Sequence, residues 1–145
     1  MDDFKKYLLL GILIWVVVDY TTAFNPDIQR WIDHMPLIWG FYIGYPLIFA
    51  QLIYRKRWDD RRLLLAIMVG AFTVEIVLSN NTLLYTYPLM VVMIPIAIAI
   101  YTIVTFLPKW VIDGTLKQRW KTLLIIGIVY FTVAVLNYAN NTGTG

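Results

Sequence analysis

The chain has 145 residues, of which 60% are hydrophobic and 14% charged, with a formal net charge of +3. Soluble domains usually carry about 45–50% apolar and 25% charged residues, so this balance excludes an ordinary soluble domain and predicts an all-α, polytopic integral membrane protein. The absence of cysteine excludes disulfides, thiolate metal sites and cysteine nucleophiles, and the single histidine, His34, excludes a multi-histidine metal or haem site within this chain alone. The basic residues stand in short clusters between apolar runs, as topogenic charges do, so nucleic acid is not an expected partner.

The first predicted span runs from Tyr7 to Phe24, long enough at about 1.5 Å per residue to cross most of a bilayer core of about 30 Å. Lys5-Lys6, the apolar stretch and Thr21-Thr22-Ala23 have the outline of a signal peptide with a weak cleavage site. We read them as a retained span. Asn25-Pro26-Asp27 then supplies an N-cap residue, a first-turn proline and an acid suited to the helix dipole, predicting a short surface helix through Trp31 to His34. The second span covers Pro36 to Tyr54. Its Gly40 and Gly44 have the GxxxG spacing that lets helices approach closely, a candidate contact for a second copy or a complex partner, and Pro46 predicts a bend.

A compact basic loop, Arg55 to Arg62, precedes the third span, residues 63–79, which is apolar apart from Thr73 and Glu75 before the acceptor-rich turn Ser79-Asn80-Asn81-Thr82. The fourth span runs from Pro88 to Leu107, with Pro88 as a first-turn proline, Pro95 as an interior kink and Pro108 as a stop. Its alternating Ile96 to Ile100 resembles a strand, but an isolated strand cannot satisfy its backbone in lipid, so helix is expected. Lys109 to Lys121 forms a second basic connection, and the fifth span covers Thr122 to Tyr138. Residues 1–145 are taken as a single transmembrane domain.

Lys and Arg number two before the first span, one, five, none and four in the successive connections, and none in the tail. If five helices alternate across the membrane, all but Arg30 fall on one side, so the positive-inside tendency predicts a cytoplasmic N-terminus and an extracytoplasmic C-terminus. A multi-pass protein of the plasma membrane is expected. The N-x-T sequences at Asn80 and Asn140 would both lie outside. The basic loops would also suit anionic lipid head groups, although a purely topogenic role explains them.

Spans one, three and five run in the same direction, so depth is comparable along them. Asp19 and Glu75 each lie about 18 Å from the start of their span, in the outer half of the bilayer. Ionisable residues inside a span are functional candidates, and no Lys or Arg lies within a span to neutralise these two. Low dielectric penalises unpaired anions and neighbouring carboxylates repel, so one or both acids are expected to hold a proton, and if the helices bring them together they make an acid/base pair. Counting depth adds Tyr42, Tyr45, Tyr87 and Asn137, and adjacency to the acids in sequence adds Tyr20 and Thr73, as candidate substrate-binding residues. In the competing reading, Asp19 meets water near the outer boundary and Glu75 is packing glue, hydrogen-bonded to a tyrosine or to a carbonyl freed by proline. No metal or cofactor is expected, although His34 with the two acids has the composition of a metal site without its spacing.

A dry pocket with a strong acid suits protonation or migration of an isolated C=C bond, and the many aromatic residues suit an apolar, isoprenoid- or sterol-like lipid. The leading expectation is therefore a membrane-embedded enzyme or binding protein for such a lipid, with Asp19 and Glu75 as proton donor and acceptor. An accessory subunit of a larger membrane complex is the alternative, and a proton or ion pathway the third. Asn80 and Asn81 would join the polar site if the third helix continued through Leu84, and would face outside if it ended at Ser79.

Overall fold

The structure is a computed structural model that describes residues 1–143. Its long elements are five helices, and no strand occurs among the described residues. Helix α1 (Asp3–Asp19) continues into a wider π-helical stretch, Tyr20–Phe24. The second, α2 (Ile28–Ala50), continues likewise into Gln51–Arg55, and α3 (Asp60–Phe72) into Thr73–Leu78. Helices α4 (Met90–Ile112) and α5 (Trp120–Thr142) are each led into by a short 3₁₀ turn, Thr82–Leu84 and Leu116–Arg119.

Four helical rods are long and apolar enough to cross a membrane: Asp3–Phe24, Ile28–Arg55, Met90–Ile112 and Leu116–Thr142. The third helix, residues 60–78, is outside that class, because it is too short for a membrane-length stretch that leaves out Arg61 and Arg62 at its start and Glu75 within it. The protein is therefore helical, with apolar helices of membrane type.

Three aspartates are committed to starting helices. Asp2, Asp27 and Asp59 accept hydrogen bonds from the N–H groups of Lys5, Arg30 and Arg62 at 2.8–2.9 Å, satisfying donors that a first helical turn leaves open. The cap of α2 is thus Asp27 rather than Asn25, and the separate surface helix expected before Pro36 does not exist: α2 runs unbroken through Pro36 and Pro46. A proline removes one donor but its φ is helical, and at Pro36 the affected turn is exposed, where solvent can serve the carbonyl. Likewise α4 begins two residues after Pro88 and passes Pro108, the expected stop. Pro108 is fully buried and Trp110 stacks on Phe106 at 5.4 Å, so packing holds the extra turn.

One face of α1, formed by Tyr7, Gly11, Trp15 and Val18, is the central seam. The spacing of four, four and three residues keeps these side chains in a row. A Cβ built on Gly11 would lie 3.0 Å from the Pro46 ring, so α1 and α2 touch backbone to ring there. The Tyr7 hydroxyl donates to the Thr105 carbonyl at 2.9 Å, and Trp15 packs on Tyr45 and Tyr101, both at 5.3 Å, tying α1 to α2 and α4. Helix α5 sits at the edge, packed on α4 and on the end of α1, and buries only Ile126. Its outer face shows Leu124, Ile125, Ile128 and Phe131. An apolar surface of that extent is costly in water, at about 25 cal/mol per Å², and suits lipid.

The GxxxG pair does not mediate contact within the chain. Nothing lies within 4 Å of a Cβ placed at Gly40 or Gly44; the close approach uses Gly11 instead. Helices α2 and α3 barely touch, and an apolar groove of about 840 Å³ runs between them, bordered by Gly40, Gly44 and Gly70.

Candidate functional site

Asp19 is the last residue of α1 before its π-helical stretch, and Glu75 lies within that of α3. Such widenings concentrate at functional positions, because they displace side chains from the regular helical rows. Threonines border both. Thr21 and Thr22 donate to the Val17 and Val18 carbonyls, and Thr73 to that of Val69, giving donors to carbonyls where the pitch changes.

The two carboxylates line one cavity of about 240 Å³ between α1, α3, α4 and α5. Its wall is otherwise Trp15, Val18, Thr22, Ala23, Asn81, Leu84, Met93, Ile96, Ala97, Ile100, Tyr101 and Val133, with no basic residue. Tyr42 donates its hydroxyl to Asp19 Oδ2 at 2.5 Å and itself accepts from Trp31 Nε1 at 3.0 Å. Glu75 accepts at both oxygens, from the Tyr101 hydroxyl at 2.9 Å and from Asn81 Nδ2 at 3.0 Å. Asp19 Oδ1 accepts no hydrogen bond among the described residues. The indole N–H of Trp15, buried in the same wall, also lacks a partner.

Asn81 reaches Glu75 through the backbone. Asn80 takes a left-handed conformation, φ 48°, and reverses the chain so that the Asn81 N–H donates to the Glu75 carbonyl at 2.7 Å. This is a Schellman-like closure widened by one residue, as the preceding π-helical turn requires. The two alternatives read from the sequence therefore combine: the helix stops at Leu78, yet Asn81 joins the polar group while Asn80 stays exposed and accepts from Tyr85.

The other candidates are dispersed. Tyr45 is buried and shares a hydrogen bond of 2.9 Å with the Thr105 hydroxyl; it borders the α2–α3 groove, not the carboxylate cavity. Tyr20 packs edge-on against Trp31, one step removed from Asp19. Thr73 faces the groove. Tyr87 is 80% exposed in the connection before α4, because that helix starts later than expected. Asn137 donates to the Thr21 and Asn25 carbonyls, and with Asn141 it pins the end of the first helical rod to α5. His34 is exposed, its Nδ1 on the Arg30 carbonyl, and among the described residues no three metal-ligating side chains cluster.

Tyr101 and Trp15 were not among the sequence candidates. Depth counting favoured Tyr87, just before the fourth span, whereas the phenol that meets Glu75 comes from the middle of α4. Its signal was available: Tyr101 is the only tyrosine within that helix. Compared with protein-family models, curated proteins and solved structures, the chain matches none.

Proposed function

We propose that this is a five-span membrane protein, with a cytoplasmic N-terminus and an extracytoplasmic C-terminus, that acts on an apolar isoprenoid- or sterol-like lipid through Asp19 and Glu75. The observation that carries the reading is that these carboxylates, from different helices, line one otherwise apolar cavity with no basic residue in its wall. Each is held by a buried tyrosine, so their positions are set before any ligand arrives.

The roles follow from the hydrogen bonds. Glu75, whose two oxygens both accept hydrogen bonds, is suited to the acceptor role. Asp19 has Oδ1 free to carry and donate a proton. Transfer of that proton to one alkene carbon places positive charge on its neighbour, and Glu75 removes a proton from the adjacent carbon, so the double bond moves and the net proton count is unchanged. Proton exchange between the two acids resets the pair. The cavity of about 240 Å³ is below the usual range of about 300–1,000 Å³ for whole ligands, so it would enclose only the reacting end of a long lipid.

The test is to incubate purified protein with candidate unsaturated lipids in deuterated water and follow deuterium entry by mass spectrometry. Incorporation that is lost in both Asp19→Asn and Glu75→Gln is the expected result. Absence of incorporation, with no apolar lipid retained on purification, would refute the reading. Orientation is checked separately by the accessibility of single cysteines introduced at Lys56 and Asn140.

A further inference from the structure

We propose that the groove between α2 and α3 is a binding site for an anionic phospholipid of the leaflet on the basic-loop side, with an acyl chain along the groove and the phosphate near Arg62. The groove is bordered from Gly40 to Leu52 on one helix and from Arg62 to Val74 on the other, a length of about 18 Å at 1.5 Å per residue. That is close to the depth of one leaflet, half of a core of about 30 Å. A partner helix would be expected to follow α2 across the whole membrane, but the lining stops after one leaflet.

Charge marks one end only. Trp58 and Arg62 close the groove beside the loop Arg55 to Arg62, whose five basic and two acidic residues leave a net charge of +3. The acids there are engaged. Asp59 caps α3 and lies 3.7 Å from Arg62 Nε, and Asp60 is bridged by Lys109 and Arg119. Arg61 has no ion-pair partner among the described residues and, with Lys109 and the two engaged acids Asp59 and Asp60, borders a polar depression that shares Trp58 with the groove. Trp58 owes its place to the same closure that delivers Asn81: Arg57 is left-handed, φ 52°, and the Trp58 N–H donates to the Leu52 carbonyl at 3.0 Å. An amphipathic ring beside cationic side chains matches the level of phospholipid head groups.

This inference rests on the membrane reading above but not on the acid pair. The test is native mass spectrometry of the protein released from bilayers of equal parts phosphatidylglycerol and phosphatidylcholine. One retained phosphatidylglycerol per chain is expected. Arg62→Gln should lower its preference over phosphatidylcholine about fivefold, the effect of one basic residue near a charged membrane surface. Gly44→Leu, and independently Gly40→Leu, should abolish retention; neither glycine has a neighbour for the new side chain to displace. Glu75→Gln should leave retention unchanged while abolishing deuterium transfer, which separates the two sites. Equal retention of both lipids, retention indifferent to both leucines, or a dimer that the leucines dissociate would overturn the proposal, the last in favour of a second copy.

Discussion

Tyr101→Phe removes a single oxygen from the centre of the candidate site. The ring is 3% exposed and packed at 5.3 Å from Trp15 and 5.6 Å from Tyr45, so phenylalanine keeps its contacts and opens no large void. What is lost is the 2.9 Å hydrogen bond to Glu75 Oε1. Its worth depends on the state of the acid: about 1.5–3 kcal/mol for a bond to a charged group, against an average near 0.6 kcal/mol for hydrogen bonds measured between membrane helices. A double-mutant cycle with Glu75→Leu, which has no oxygen to accept from Tyr101, isolates the coupling, read from reversible unfolding in mixed micelles at fixed detergent composition. A coupling above about 1.5 kcal/mol fits an anionic Glu75, the state the acceptor role requires. A value near 0.6 kcal/mol would mean that Glu75 is neutral and would refute the assignment of roles. Coupling indistinguishable from zero would refute the geometry itself.

Gly11→Ala should destabilise the protein by about 1–3 kcal/mol, because the added methyl meets a rigid proline ring at 3.0 Å; Gly44→Ala, facing open space, should change unfolding far less. Asn81→Ala should lower activity on a lipid substrate more than it lowers stability, since it strips one of the two donors from Glu75 at a half-exposed position; equal activity would remove Asn81 from the site. Tyr87→Ala should leave stability and deuterium transfer at wild-type values, and any loss of transfer would restore Tyr87 to the candidate set. Asp60→Asn breaks bridges to a half-exposed Arg119 and to Lys109, which is mostly buried but keeps Asp113 at 2.9 Å, so the free energy of unfolding should fall by no more than about 1 kcal/mol.

Helical class was legible because it is a local matter: apolar runs of this length leave the backbone only its own carbonyls to bond. Candidate acids were legible for the same reason, since Asp19 and Glu75 stand out against those runs without any knowledge of their neighbours. Element ends were less so. Prolines at 36, 88 and 108 carry strong local signals, but Pro36 and Pro108 lie within helices and Pro88 before one. Burial of Trp110 against Phe106 outweighs one missing donor, and burial is a property of the whole fold.

The partners of the acids depended on tertiary structure throughout. Tyr42 meets Asp19 and Tyr101 meets Glu75 because of how the helices are rotated about their axes, and these helices are apolar on nearly every face, so periodicity fixes no rotation. Asn81 returns to Glu75 only because a π-helical turn and a left-handed Asn80 redirect the chain. The same limit governed the glycines: three residues share one chemistry, yet Gly11 meets Pro46 while Gly40 and Gly44 border an open groove. The sequence by itself determined that the chain is helical, apolar and carries two acids in its apolar stretches. Which helices pack, where they part, and what each acid touches were decided by side-chain shape across contacts distant in the chain, for which a single apolar sequence holds no register.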